Sequence, residues 1–148
     1  MVLDKPAGLP AHAGREGGPS AEDWFPALSR RRDGPWLAHR LDRDTAGCLV
    51  VALRKSALVA AQALFAEGRA EKLYWAVVRG RPPGSSGHLV LPLARAESGG
   101  QWRMVPDPRA PPAVSDWRCL GHAGGFSWLE IRPRTGRTHQ VRAHGTAL

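Results

Sequence analysis

Three short stretches concentrate the side chains able to do chemistry. His39-Arg-Leu-Asp-Arg-Asp-Thr-Ala-Gly47 sets two carboxylates among two guanidiniums and an imidazole, directly ahead of an apolar run. A loop entering a core strand is a good place to hold a reactive group. Asp42 or Asp44 there can serve as nucleophile, acid/base or metal ligand, or can simply balance Arg40 and Arg43 on a solvated loop. The second stretch, Arg132-Pro-Arg-Thr-Gly-Arg-Thr-His-Gln-Val-Arg-Ala-His144, carries arginines at 132, 134, 137 and 142. Such a cluster binds phosphate or holds a carboxylate ionised, since an arginine within ~4–6 Å lowers an aspartate pKa by ~1–3 units. Its two histidines, His139 and His144, are poorly spaced for one metal on a helix and have no matching acidic partner, so no metal is expected. The third stretch, Lys72-Leu-Tyr-Trp-Ala76, holds the single tyrosine, Tyr74. In a strand Tyr74 shares a face with Lys72 and Ala76, while Leu73 and Trp75 point the other way. Tyr74 is then a core or rim aromatic, or a stacking platform for an extruded base.

These stretches need elements to hold them. Val2-Leu3 begins a short extended segment, and residues 7–19 are a loop rich in Gly, Pro and Ala. Asp23 caps a predicted helix to about Arg31 with Pro26 in its first turn. Cys48-Leu-Val-Val-Ala-Leu53 has the length and continuity of a strand buried on both faces. Ser56 caps a helix to Glu67, stopped by Gly68, with Leu58, Ala61 and Phe65 on one side. Lys72–Val78 and His88–Leu91 are strand candidates. Residues 94–112 are polar around a short Trp102–Val105 strand. Val114–Leu120 and Phe126–Ile131 alternate around His122-Ala-Gly-Gly125, a hairpin signal. A helical segment is predicted from Thr138. Strands with few helices and no βαβ repeat predict an α+β fold with a mainly antiparallel, mixed sheet and flanking helices.

The chain has 148 residues, the size of one typical domain, and a net charge of +8. Of 21 cations, 18 are arginine, the better residue for phosphate because of its planar fork. This leans toward a nucleic-acid partner, although a coding bias toward Ala, Gly, Pro and Arg would give the same composition. No apolar run approaches the ~20 residues of a membrane span, and the start shows no signal pattern. Cys48 and Cys119 are far apart and without C-x-x-C spacing, so they are expected to be small buried hydrophobes, compatible with a reducing cytoplasm.

Together the stretches, with the opening Val2-Leu-Asp-Lys-Pro-Ala-Gly-Leu9, resemble in order the RluA-type family of RNA pseudouridine synthases. The resemblance implies that fold, a single domain over residues 1–148, and isomerisation of uridine to pseudouridine in rRNA or tRNA without a cofactor. It makes Asp42 the catalytic aspartate, Tyr74 the active-site aromatic and Arg137 the cation that keeps Asp42 ionised. Arg40 would hold the RNA and fill the space of the extruded base. His39, Thr138, His139, Gln140 and Arg142 would complete the substrate contacts. A cytoplasmic monomer, with no accessory RNA-binding domain, is expected. Ala46 stands where the family usually has Ser. Relatives run on past the third signature through a Gly-Asp-containing segment, whereas this chain stops at Leu148, so a C-terminally incomplete domain is expected. A non-catalytic RNA-binding relative and an inactive fragment are the alternatives.

Overall fold

The computed structural model describes residues 1–14 and 17–148; part of the loop expected over 7–19 lies outside them. Two compact units make up the chain, Met1–Ala70 and Glu71–Leu148.

The first unit is a three-stranded antiparallel sheet in the order β1 (Val2–Lys5), β3 (Gly47–Ala52), β2 (Trp36–Leu37). Leu49 and Val51 are fully buried, but Cys48, just before them and on the opposite side of the pleat, is exposed. The expectation of a strand buried on both faces therefore fails: period-two alternation turns Cys48 outward. Before β2, Ser20 opens a 3₁₀ turn over Ala21–Trp24 that runs into the short α1 (Phe25–Leu28). Asp23 does not start this segment. It sits inside the first turn, where its carboxylate accepts the Ser20 amide at 2.9 Å. The segment stops before Arg31 because Ser29 is already extended. Helix α2 (Lys55–Ala66) is capped by Arg54 and so begins two residues earlier than a Ser56 cap predicts. Its partly buried residues include Leu58, Ala61 and Phe65, the three expected on one side. Gly68, at φ +68°, ends it with the paired bonds Gly68 N to Phe65 O and Arg69 N to Leu64 O.

The second unit holds a four-stranded antiparallel sheet, β4 (Tyr74–Arg79), β9 (Phe126–Pro133), β8 (Val114–Ala123), β5 (Ser86–Val90). The β8–β9 hairpin forms as its sequence demands, turning at Gly124 and Gly125, both at positive φ. Trp117, Leu129 and Ile131 form the core, packed against Ala76, Val78, Leu89, Cys119 and, from α3 (Gln140–Ala147), Val141. A second hairpin pairs β7 (Gln101–Pro106), which contains the expected Trp102–Val105 strand, with β6 (Leu93–Ser98), for which no strand is expected. Leu-Ala-Arg-Ala-Glu-Ser has little β-propensity of its own. Its pairing follows from the Gly99-Gly100 turn, with both residues at positive φ. The architecture is α+β with antiparallel sheets and few helices, as expected.

Candidate active site

In the first unit, the loop of residues 39–46 delivers Asp42 to the start of β3. Leu41 is buried and anchors the loop, Asp42 is half-buried, and Arg40 and Asp44 are exposed. Thr45 N donates to Asp42 O at 3.1 Å and closes a turn. Beneath this loop lies Lys5, 2% exposed. Its Nζ donates to three carbonyls: Leu9 at 2.7 Å, Pro6 at 2.8 Å and Arg43 at 3.0 Å. Gly8 N donates to Arg43 O at 2.9 Å, and Arg43 Nε returns a bond to Gly8 O at 3.0 Å. The loop after β1 and the loop carrying Asp42 are thus sewn together. Burial pushes the Lys5 pKa down, while the Asp44 and Asp42 carboxylates pull it back up. The buried ammonium and these carboxylates therefore interact electrostatically. His39 is tied to the same strand: its Nε2 accepts the Val50 amide at 3.0 Å, and its ring lies 4.9 Å from that of Phe65.

In the second unit, Tyr74 and Ala76 are half-buried on one face of β4 and Trp75 is exposed on the other; just ahead of the strand Lys72 is half-buried and Leu73 exposed, continuing the alternation. That is the predicted partition. Lys72 Nζ donates to Thr135 O at 3.3 Å, linking the approach to β4 with the loop that carries Arg137. Burial lowers the Lys72 pKa.

The Arg137 loop is fixed chiefly by Gln140. Its Oε1 accepts Arg137 N at 3.0 Å and Thr135 Oγ1 at 2.8 Å. Its Nε2 donates to Val114 O at 2.9 Å and Ser115 Oγ at 3.0 Å. All four bonds an amide side chain can make are formed, and Gln140 is buried. Thr135 Oγ1 also accepts Val114 N at 2.9 Å. Arg137, Thr138 and Arg142 are exposed. His139 takes a left-handed conformation, φ +49°, and stacks on Trp102 at 4.6 Å and 13°. Arg95 covers the same indole at 4.9 Å. Sequence reasoning missed Lys5 as a brace and the Arg95–Trp102–His139 stack, because neither has a pattern in the primary structure.

The family model for RNA pseudouridylate synthase matches residues 1–147. The chain belongs to the RNA pseudouridine synthase family. An uncharacterised RNA pseudouridine synthase of Zymomonas mobilis is 40% identical over 146 residues, covering 97% of this chain and 67% of that protein. The ribosomal large subunit pseudouridine synthase C of Vibrio cholerae is 34% identical over 144 residues, covering 97% of this chain and 45% of that protein. The human RNA pseudouridylate synthase domain containing 4 superimposes with a TM-score of 0.79 at 29% identity, over 97% of this chain and 59% of that one. The chain thus spans between about half and two thirds of the length of these relatives. Within the RluA-type pattern, the Asp42, Tyr74 and Arg137 stretches all fall inside the matched range.

Proposed function

We propose that this pseudouridine synthase chain isomerises uridine to pseudouridine in RNA, with Asp42 as the catalytic aspartate. The family match over residues 1–147 carries this reading. The bracing of the Asp42 loop from below by Lys5 supports it, since a reacting carboxylate must be held in place. The N1–C1′ bond of the target breaks, the uracil rotates, and a C5–C1′ bond forms as C5 loses its proton and N1 gains one. Atoms and electrons balance without a cofactor. The stacked uridine must first be extruded, at a few kcal/mol. Arg40, Arg137, Thr138 and Arg142, all exposed, are the residues proposed to meet the RNA. Asp42 must be ionised, whether it bonds to the ribose or stabilises the charge left as uracil departs, and Arg137 is the proposed cation for that role. Tyr74 stacks on the uracil and serves as base for the C5 proton. His39 and Gln140, whose side chains hydrogen-bond to neighbouring protein groups, hold the loops that meet the RNA in this reading. Relatives named for the ribosomal large subunit favour ribosomal RNA over transfer RNA as the substrate in this reading.

The test is incubation with transcribed ribosomal and transfer RNAs followed by chemical mapping of pseudouridine. Asp42→Asn is expected to lower the rate by roughly 10³ or more while leaving RNA affinity intact. An Asp42→Asn variant as active as the parent removes the aspartate from the mechanism. RNA binding without any pseudouridine assigns the chain to a non-catalytic binding role.

A further inference from the structure

The face of β4 turned away from Tyr74 carries a strip of apolar side chains. Register sets Val77 opposite Trp128 and Arg79 opposite Phe126. Trp75 is 66% and Val77 71% exposed, and Phe126 and Trp128 are exposed beside them. The Trp75 and Trp128 rings meet edge to face, 5.1 Å apart at 82°. Contiguous apolar groups left in water on a charged surface mark a contact site.

The charges around the strip say what it contacts. Arg79 stands at one end. At the other, Arg118 and Arg132 converge on Glu130 at 3.3 and 3.1 Å, beside a shallow depression of about 240 Å³ lined by these three with Asp116 and Trp117. One carboxylate between two guanidiniums leaves a positive charge in excess, and each guanidinium keeps further N–H donors. The Asp116 carboxylate is met by Arg134 at 2.6 Å. Indoles between cations suit single-stranded nucleic acid, because bases stack on the rings while phosphates meet the guanidiniums. An edge-to-face pair commits at most one ring face to its partner and leaves the others open to a base.

We propose that this face of the sheet is a second RNA-docking surface. It takes a single-stranded stretch by sequence-tolerant stacking on Trp75 and Trp128, with phosphates at Arg79 and at the Arg118–Arg132 pair. The proposal rests on the chain being an RNA-acting protein but not on Asp42 chemistry.

A labelled twelve-nucleotide oligocytidylate, which offers no uridine, is the probe, and fluorescence anisotropy on the full chain is the readout. Trp75→Ala combined with Trp128→Ala is expected to weaken binding at least about tenfold. Arg79→Gln, at an exposed site that does not endanger the fold, is expected to lower the slope of log K against log salt by ~0.7. Asp42→Asn leaves the affinity unchanged. Unchanged affinity in the tryptophan double variant with intact near-ultraviolet circular dichroism, or an unchanged salt slope in Arg79→Gln, overturns the proposal. So does a concentration-dependent dimer in sedimentation equilibrium that the tryptophan substitutions dissolve while oligocytidylate binding persists, which gives the face to a second copy. A chain that makes no pseudouridine but loses oligocytidylate binding on these substitutions refutes the enzymatic reading alone.

Discussion

A lysine buried away from water is costly unless its ammonium is fully hydrogen-bonded. Lys5 meets that condition with three carbonyls drawn from two loops. Replacing it with methionine keeps the length and volume but leaves the Pro6, Leu9 and Arg43 oxygens short of a donor. Lys5→Met is expected to lower stability by about 2–4 kcal/mol, read from urea unfolding, because each lost bond involved a charged donor. The loop holding Asp42 should loosen at the same time, so the rate of pseudouridine formation falls more than RNA affinity does. Nothing in Val2-Leu-Asp-Lys-Pro reveals this role, since lysine in isolation is a surface residue. What decides it is the return of Arg43 across 38 positions, a contact visible only once β1 and β3 pair.

At the level of elements, strand alternation was the most legible signal. The Tyr74, Ala76 face of β4, with Lys72 just ahead of it, and the Leu58, Ala61, Phe65 side of α2 lie as their periods require. Elements stabilised by pairing rather than by their own residues were not legible, and β6 is the clearest case. Cys48 was misjudged because a short apolar run hides which of its members the pleat turns outward. Gln140, a substrate contact by resemblance, has an amide that spans the β8 start, the Thr135 hydroxyl and the Arg137 backbone, contacts that no sequence pattern shows. Gln140→Leu is isosteric enough to fill the space but leaves Arg137 N without its acceptor and takes one donor from Val114 O, which keeps the Arg134 amide. It is expected to cost about 2–3 kcal/mol in urea unfolding. Combined with Arg137→Lys, it should be non-additive in the rate, because one residue acts through the other. Additive losses would make Gln140 a structural residue only.

At the scale of the molecule, the second unit carries a built-in sensitivity to acid. His144 of α3 is fully buried, neither ring nitrogen meets a partner with hydrogen-bond geometry among the described residues, and burial pushes its pKa down, opposed in part by the Leu91 backbone. The unfolded chain therefore binds a proton more readily than the folded one. Stability from the neutral imidazole is complete above the ordinary histidine pKa and is lost as pH falls through the window below it. The melting temperature, followed by fluorescence of the tryptophans, is expected to be lower at pH 5.5 than at pH 7.5, with a shallower dependence in His144→Gln. Within this unit β4 serves two purposes, presenting Tyr74 on one side and Trp75 on the other. Deleting a single codon between Tyr74 and Arg79 would exchange the sides of every residue beyond it, whereas most substitutions change only one. The strand is thus freer to vary in composition than in length, and insertions compatible with the fold belong in the Gly99-Gly100 and Gly124-Gly125 turns.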